Sequence, residues 1–295
     1  MVRWCQGVVV GVDGSQEGYQ ALDWAAAAAD RHDARLTVVG TYVVPLAPVP
    51  AGGLLIPDSL HAGADQAVDR ALARLGPHRP GGRTPSTELV PGAAAHVLVQ
   101  RSRHADLVVV GRRGLGAVSR ALAGSVSSAV AAMAHGLVAV VPACASGTTP
   151  QRVVVGVAAD VRPEPLLDAA FSEAEPLGAS VEVVHAVDPG PLEAVLDAYA
   201  GWGQAWRAST LEAVRDDIDR WAAKHPQVPC TTRIEDGRAA DVLMRTLTPH
   251  DLVVVGGRSH RRAAGRLLGS VPDTLLRSAP CATLVVHQPD KTRDG

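Results

Sequence analysis

The chain has 295 residues, a net charge of −2 and a hydrophobic fraction of 47% that contains few aromatic side chains. This composition is typical of a globular α/β protein and excludes a disordered or fibrous one. A net charge so close to zero provides no field that would attract nucleic acid or an anionic membrane. The apolar N-terminus is too short for a signal peptide, and no apolar run is long enough to span a membrane. The four cysteines show no C-x-x-C pair and no metal-binding spacing, which suits a reducing cytosol, so we expect a cytoplasmic protein. From the charge and the lack of long apolar runs, we expect it to bind neither nucleic acid nor membranes.

The first part of the chain alternates short apolar runs with segments of helical periodicity. Short apolar runs are typical of strands that are buried on both faces of a parallel sheet, and Ala-rich segments with a small-residue face are typical of helices. A Pro- and Gly-rich apolar segment, 43–58, is too long for a tight connection. The pattern predicts strands over 7–13, 35–41, 84–90, 107–110 and 137–141, and helices over 17–32, 59–76, 92–103 and 125–135.

The second part of the chain repeats the first at a constant offset of 145 residues. The segment 251–256 repeats 106–111, residues 153–157 repeat 8–12, and 269–270 repeat 124–125. Three anchors in one register indicate the internal duplication of a domain-sized module. We therefore predict two domains, 1–143 and 150–288, with a linker over 144–149 and a tail over 289–295.

The repeat predicts the same order of elements in the second domain. Strands are expected over 152–157, 180–186, 228–235, 251–255 and 282–287, and helices over 163–176, 204–224, 237–248 and 270–278. Five strands alternating with four helices predict a doubly wound, five-stranded parallel sheet in each domain.

A glycine-rich segment follows the fourth predicted strand and carries the strongest functional signal. Gly111, Gly114, Gly116 and Gly124 follow the apolar run 107–110, and a helical segment begins at residue 125. Glycines after a strand let backbone N–H groups approach a ligand closely, and a helix start attracts phosphate. Serine is a favoured N-cap residue, so we expect Ser125 to cap this helix. With the charges of Arg112, Arg113 and Arg120, residues 111–125 are predicted to form a phosphate-binding loop, here called the glycine loop.

A second signal lies at the end of the first predicted strand, where Asp13 follows Gly11 and Val12. Open α/β sheets bind ligands at the carboxyl ends of their strands, so we expect Asp13 beside the glycine loop. The loop is not a Walker A motif, since no Gly-Lys-Ser/Thr follows it. A dinucleotide fingerprint is also excluded, because no G-x-G-x-x-G follows the first strand.

The spacing Gly111-x2-Gly114-x9-Gly124-Ser125 resembles the nucleotide loop of the ATP-binding branch of the universal stress protein family. The resemblance covers essentially the whole chain as a tandem pair. It implies a Rossmann-like, adenine nucleotide alpha hydrolase-like α/β fold with strand order 3-2-1-4-5 in each domain. It also implies that the ligand is ATP with Mg²⁺, that Asp13 is a weak metal ligand, and that 43–58 is a flap over adenine. The nucleotide-binding positions are then Gly11, Asp13, Val39, Gly111, Arg112, Arg113, Gly114, Gly116, Gly124, Ser125 and Val126, with Gly156, Gly256, Arg258, Ser259, Gly269 and Ser270 in the second domain.

The resemblance further implies self-association through the fifth strand of each domain. A strand at a sheet edge is a pairing liability when it is left bare. In this family that edge pairs two modules, so 137–141 and 282–287 are expected to meet within one chain as a pseudo-dimer. A homodimer and a protein partner are further expectations.

The two domains differ at positions that matter for a nucleotide. At the offset of 145, Ala158 replaces Asp13 and Ser259 replaces Gly114, while Arg258 and its neighbours keep the second loop basic. Our hypothesis is that the first domain binds ATP and that the second binds it weakly or binds another phosphate ligand.

The sequence shows no clear catalytic constellation, since it lacks a Walker B partner, a general base and a nucleophile triad. Arg112 or Arg113 is a candidate for steadying phosphate, and Asp13 for holding Mg²⁺. The resemblance implies a nucleotide-dependent regulatory protein of the stress response with at most slow ATP hydrolysis. The alternative is a nucleotide-using enzyme of the adenine nucleotide alpha hydrolase group, either adenylate-forming or an ATPase. That group carries an S-G-G-x-D-S loop after the first strand, and the G-V-D-G-S of residues 11–15 argues against it.

Overall fold

The computed structural model describes residues 4–43, 59–76, 83–115, 123–145, 147–158, 163–188, 212, 215–216, 218–257 and 268–287. Within these ranges the chain forms two compact units, 4–147 and 148–287. Among the described residues, no helix combines the length and the apolar character needed to cross a membrane.

The first unit is a parallel five-stranded sheet with helices between its strands. Strand β1 pairs with β2 and β4, β2 pairs with β3, and β4 pairs with β5, all in parallel. The resulting order 3-2-1-4-5 confirms the predicted fold. The elements are β1 (Val8–Gly11), α1 (Gln16–Arg31), β2 (Leu36–Tyr42), α2 (Ser59–Leu75), β3 (Ser86–Pro91), α3 (Ala94–Arg101), β4 (Leu107–Gly111), α4 (Ser125–Met133) and β5 (Leu137–Val141).

The second unit has the same parallel strand order. Strand β6 pairs with β7 and β9, β7 pairs with β8, and β9 pairs with β10. Most of the helix predicted over 204–224 falls outside the described residues, although 218–222 are helical. The elements are β6 (Arg152–Val157), α5 (Glu164–Leu177), β7 (Ser180–Val187), β8 (Cys230–Asp236), α6 (Ala239–Thr246), β9 (Asp251–Gly256), α7 (Ser270–Ser278) and β10 (Ala282–Val286).

Small residues bring α1 close to the centre of the first sheet. The helix buries Leu22 together with a face of alanines, and it packs on β1 and β4. Its N-cap is Ser15, whose hydroxyl accepts a hydrogen bond from the N–H of Gly18 at 3.0 Å. This cap fixes the turn between β1 and α1, which is one wall of the functional site.

Helix α3 is shorter than the predicted span of 92–103. Gly92 has φ +138°, which a helix does not allow, and its N–H donates to the carbonyl of Tyr42 at 2.8 Å. The helix therefore begins at Ala94. After Arg101 the chain tightens into a 3₁₀ turn over 102–104, so the predicted C-terminal end was also wrong.

A buried ion pair joins two neighbouring strands of the second unit at their starting ends. The Nε and Nη2 atoms of Arg152 donate to the two carboxylate oxygens of Asp251 at 2.9 and 2.8 Å. The Nη1 atom of Arg152 donates to Glu182 at 2.7 Å, and Glu182 lies 3.0 Å from Nε of Arg233. The side chain of Asp251 is only 4% exposed, so the pair is largely shielded from water.

Candidate functional site

A cavity of about 250 Å³ lies in the first unit at the carboxyl ends of β1, β2 and β4. Its walls are the turn after β1, the end of β2, the start of α3, the glycine loop and the first turn of α4. It is lined by Gly11, Val12, Asp13, Gly18, Val39, Thr41, Ala94, Leu98, Val110, Gly111, Arg112, Arg113, Gly114, Leu115, Gly124, Ser125, Val126 and Ser127.

The structure brings the predicted positions of the first domain together around this cavity. All of those that it describes are lining residues, while Gly116 lies outside the described part of the chain. Sequence reasoning missed two of the lining residues, Gly18 and Leu98. Gly18 lies three residues after Ser15, the N-cap of α1, and Leu98 is an apolar residue of α3. The apolar periodicity of α3 was visible, but it did not tell which residue would face a cavity.

Asp13 ties the turn after β1 to the glycine loop. Its Oδ1 accepts a hydrogen bond from the N–H of Ser15 at 3.0 Å, and its Oδ2 accepts one from the N–H of Leu115 at 2.9 Å. A Cβ atom on Gly114 would overlap Oδ2 of Asp13, and one on Gly18 would lie 2.8 Å from Oδ1. A side chain at either position would therefore force the Asp13 carboxylate to move, and glycine at both positions leaves it where it accepts these hydrogen bonds.

Glu17 makes a second connection between α1 and the glycine loop, and the sequence analysis did not identify it. Its Oε2 accepts a hydrogen bond from the N–H of Arg113 at 2.8 Å, and its Oε1 lies 2.5 Å from Nη2 of Arg113. The side chains are 11% and 26% exposed for Glu17 and Arg113, respectively. Gly111 lets the two elements approach, since a Cβ there would lie 2.8 Å from the backbone carbonyl of Glu17.

The two ends of the glycine loop are joined by hydrogen bonds to one carbonyl. The carbonyl of Arg112 accepts from the N–H of Gly124 and from the hydroxyl of Ser127, both at 2.8 Å. This closes the loop where α4 begins. The start of α4 is consequently held beside the end of β4.

The prediction that Ser125 caps α4 was wrong. The N-cap is Gly124, which has φ −64° and ψ 153° and whose carbonyl accepts the first helical hydrogen bond from Ser128 at 3.0 Å. Ser125 is thus the first residue inside the helix. The N–H groups of the first helical turn have no partner within a helix, and Ser125 and Val126 of this turn line the cavity.

The second unit keeps the glycines near the strand ends but lacks the side chains that correspond to Asp13 and Ser127. Gly156 is the second-last residue of β6, Gly256 ends β9, and Gly269 is the N-cap before Ser270. The closing hydrogen bond, from the N–H of Gly269 to the carbonyl of Gly257, is 3.4 Å long. Arg258 and Ser259 lie outside the described ranges.

Sequence differences explain this weaker closure. Pro272 takes the place of Ser127 and has no hydroxyl to reach the loop carbonyl, and Ala158 cannot replace the carboxylate of Asp13. The position of Arg112 is taken by Gly257, where a Cβ would lie 2.6 Å from Nδ1 of His287. The imidazole of His287 therefore fills the space that an arginine would need. The second unit is built differently at each of these points.

No group of three or more His, Cys, Asp or Glu side chains is arranged to hold a metal ion in the part of the chain that the structure describes. Asp13 is accordingly a single protein carboxylate at the cavity. A magnesium ion bound there would have to take its other ligands from phosphate and water, as is usual for Mg²⁺ at nucleotide sites.

Comparison with known proteins gives a consistent result over both units. The family model described as the universal stress protein family matches residues 6–142 and again 150–287. A universal stress protein of Mycolicibacterium smegmatis is 30% identical over 95% of this chain and 97% of its own length. One of Mycobacterium tuberculosis strain H37Rv is 32% identical over 96% of this chain and 95% of its own length.

Solved structures agree at the level of the fold. The crystal structure of a universal stress protein from Archaeoglobus fulgidus matches with a TM-score of 0.68 at 13% identity, covering 96% of this chain and 99% of that one. A putative universal stress protein from Pseudomonas aeruginosa matches with a TM-score of 0.62 at 14% identity, covering 96% and 93% of the two chains.

Proposed function

Because the chain belongs to the universal stress protein family, with one family module in each half, we propose that it is an ATP-binding regulatory protein. Its nucleotide site is the cavity of the first unit. The observation that carries this proposal is the closed glycine loop, whose ends meet at the carbonyl of Arg112 beside the start of α4. We propose that the protein acts in the cytoplasm and that bound nucleotide biases its contacts with partners.

The cavity offers different chemistry on its two sides. Val39, Leu98 and Val110 provide apolar surface for an aromatic base, and the first turn of α4 provides N–H groups for phosphate. Asp13 lines the same cavity and follows the last residue of β1 by two positions. Carboxylate oxygen is a preferred Mg²⁺ ligand, so Asp13 would hold the metal of Mg-ATP. The bound metal would neutralise phosphate charge.

Hydrolysis is proposed to be slow at most. Among the described residues that line the cavity, Asp13 is the one carboxylate, and both of its oxygens already accept backbone hydrogen bonds. A general base must reach the attacking water while it keeps the proton-accepting lone pair available. Asp13 is better suited to orienting the loop than to activating water.

The experiment that tests the function is nucleotide analysis of the purified protein after gentle denaturation. We expect about one equivalent of ATP per chain, because within the described residues the complete set of connections is found in the first unit. A predominance of ADP would instead indicate turnover. Absence of bound nucleotide, together with no uptake of added Mg-ATP, would overturn the proposal while leaving the family assignment unchanged.

A substitution at Gly114 should distinguish nucleotide binding by the first unit from binding by the second. In Gly114→Ala the new Cβ would displace the Asp13 carboxylate and break its bond to Leu115, so we expect affinity for Mg-ATP to fall about tenfold or more. The matched variant is Ser259→Ala, at the same position of the second module, and it should change total binding little. Titration calorimetry of both variants measures this. Equal losses in the two variants would contradict the asymmetry.

A further inference from the structure

We propose that Glu17 is a positioning residue of the nucleotide site, which holds the start of the glycine loop through both the backbone and the side chain of Arg113. This inference rests on the proposed function for its binding consequence, but its structural consequence can be measured without a nucleotide. Nothing in the loop spacing points to Glu17, because it lies on α1, almost one hundred residues from the loop.

The geometry is that of a two-point attachment. One carboxylate oxygen of Glu17 accepts from the N–H of Arg113 at 2.8 Å, and the other lies 2.5 Å from its guanidinium. Hydrogen bonds to an ionised carboxylate are shorter and stronger than those between neutral groups, and this pair is mostly shielded from water. The backbone of Glu17 is itself fixed, because β4 passes it at the close approach that Gly111 permits.

The attachment changes the role of Arg113. Its guanidinium already pairs with a carboxylate through Nη2, so we assign to Arg113 the role of holding the loop and not that of the main cation for phosphate. The pair also adds no net charge to the cavity wall. The N–H of Arg113 donates to Glu17 on α1, and the N–H of Leu115 donates to Asp13 in the turn before α1. These two hydrogen bonds fix the backbone on both sides of Gly114.

The sequence of the second module does not offer the same pair of side chains. At the offset of 145 residues, Arg162 aligns with Glu17 and Arg258 aligns with Arg113, so the sequence has two like charges at positions where the first module has an acid and a base; both arginines lie outside the described residues. Like charges repel and cannot share a hydrogen-bonding geometry of this kind. The sequence difference therefore gives a physical reason for unequal loops in the two modules.

Hydrogen exchange of the nucleotide-free full chain tests the attachment directly. In Glu17→Ala we expect peptides that cover 107–115 to exchange about tenfold faster, while peptides from β3 and α2 remain unchanged. Glu17→Gln keeps an oxygen that can accept from the N–H of Arg113, so it should restore part of the protection. The matched control is Glu88→Ala. It removes a carboxylate whose Oε2 lies 2.7 Å from Nε of Arg101, and neither of these residues lines the cavity.

Affinity for Mg-ATP is measured on the same variants. We expect Glu17→Ala to bind about tenfold more weakly, Glu17→Gln to be intermediate, and Glu88→Ala to equal the parent. Unchanged loop exchange in Glu17→Ala, a faster exchange spread over the whole unit, or tighter binding would each overturn the proposal. Tighter binding would mean that Glu17 competes with phosphate for Arg113. If the parent protein binds no ATP, the proposed function fails, and the exchange experiment alone decides the role of Glu17.

Discussion

Replacing Gly111 with alanine is expected to destabilise the first unit by about 1–3 kcal/mol and to lower its affinity for Mg-ATP at least tenfold, or about 1.4 kcal/mol. The new Cβ would lie 2.8 Å from the carbonyl carbon and oxygen of Glu17 and 3.1 Å from the nitrogen of Gly18. These are backbone atoms in the first turn of α1, so no side-chain rotation can relieve the overlap. The helix must move away from β4, and the connections made by Glu17 and Asp13 move with it.

The duplicated chain supplies a control for this substitution at the same position of the second module. A Cβ on Gly256 would meet no atom of the described residues within 4 Å, so Gly256→Ala should leave both stability and nucleotide binding close to the parent values. Urea unfolding and titration calorimetry on the two variants make the comparison. If Gly111→Ala unfolds and binds like Gly256→Ala, then α1 does not constrain the glycine loop as described.

The fold was predictable because its signals are periodic and repeated. The strands β4 and β9 each contain a continuous apolar run in the sequence, and both are buried along their length apart from the final glycine. The constant offset between the two copies indicated that both have the same topology. The strand order itself came from the family resemblance, because apolar periodicity alone does not specify which strands are neighbours.

The candidate site was predictable only where it depends on glycine and on chain position. Gly111, Gly114 and Asp13 occur where any ligand of a parallel sheet would lie. Glu17 was not predictable, because its role depends on how closely α1 approaches β4, which is a property of packing. The capping role assigned to Ser125 failed for a related reason: residue preference was applied without knowing that the carbonyl of Gly124 accepts the first helical bond.

Several expectations remain predictions. The proposed flap over 43–58 falls almost entirely outside the described residues, and so does most of the second glycine loop. Binding of ATP and Mg²⁺, pairing of the fifth strands and location in the cytoplasm are likewise untested predictions. The first two depend on family resemblance more than on contacts within either unit, and the third depends on the cysteine pattern.

The largest stability effect is expected in the second unit, at the ion pair between Asp251 and Arg152. Asp251→Ala removes the carboxylate that accepts two hydrogen bonds from Arg152 and two more from the N–H and hydroxyl of Thr248. Removing one partner of a buried pair leaves the other charge poorly solvated. The cost is about 3 kcal/mol, near the lower end of the usual range, because Glu182 still pairs with Arg152.

The same carboxylate predicts a dependence of stability on pH. Burial alone would raise the pKa of Asp251, but hydrogen bonds from Arg152 and Thr248 and the charge of Arg152 outweigh it, so its pKa lies below the ordinary value. A group whose pKa is lower in the folded state binds fewer protons there than in the unfolded chain. Its stabilisation is therefore fully present above the unfolded pKa of about 3.9, and it is lost as the pH falls through the folded value.

Scanning calorimetry of the full chain between about pH 3 and pH 7 should show this difference. The second unit of the parent should lose stability below about pH 4. In Asp251→Asn the second unit should be less stable than in the parent at about pH 7, and its stability should change less between these pH values. The matched control is Asp106→Asn, since Asp106 occupies the same position in the first unit but accepts from the backbone N–H groups of Gln6 and Gly7. It removes no arginine partner and should cost less. An acid profile for Asp251→Asn that parallels the parent would show that the ion pair does not govern the stability of this unit.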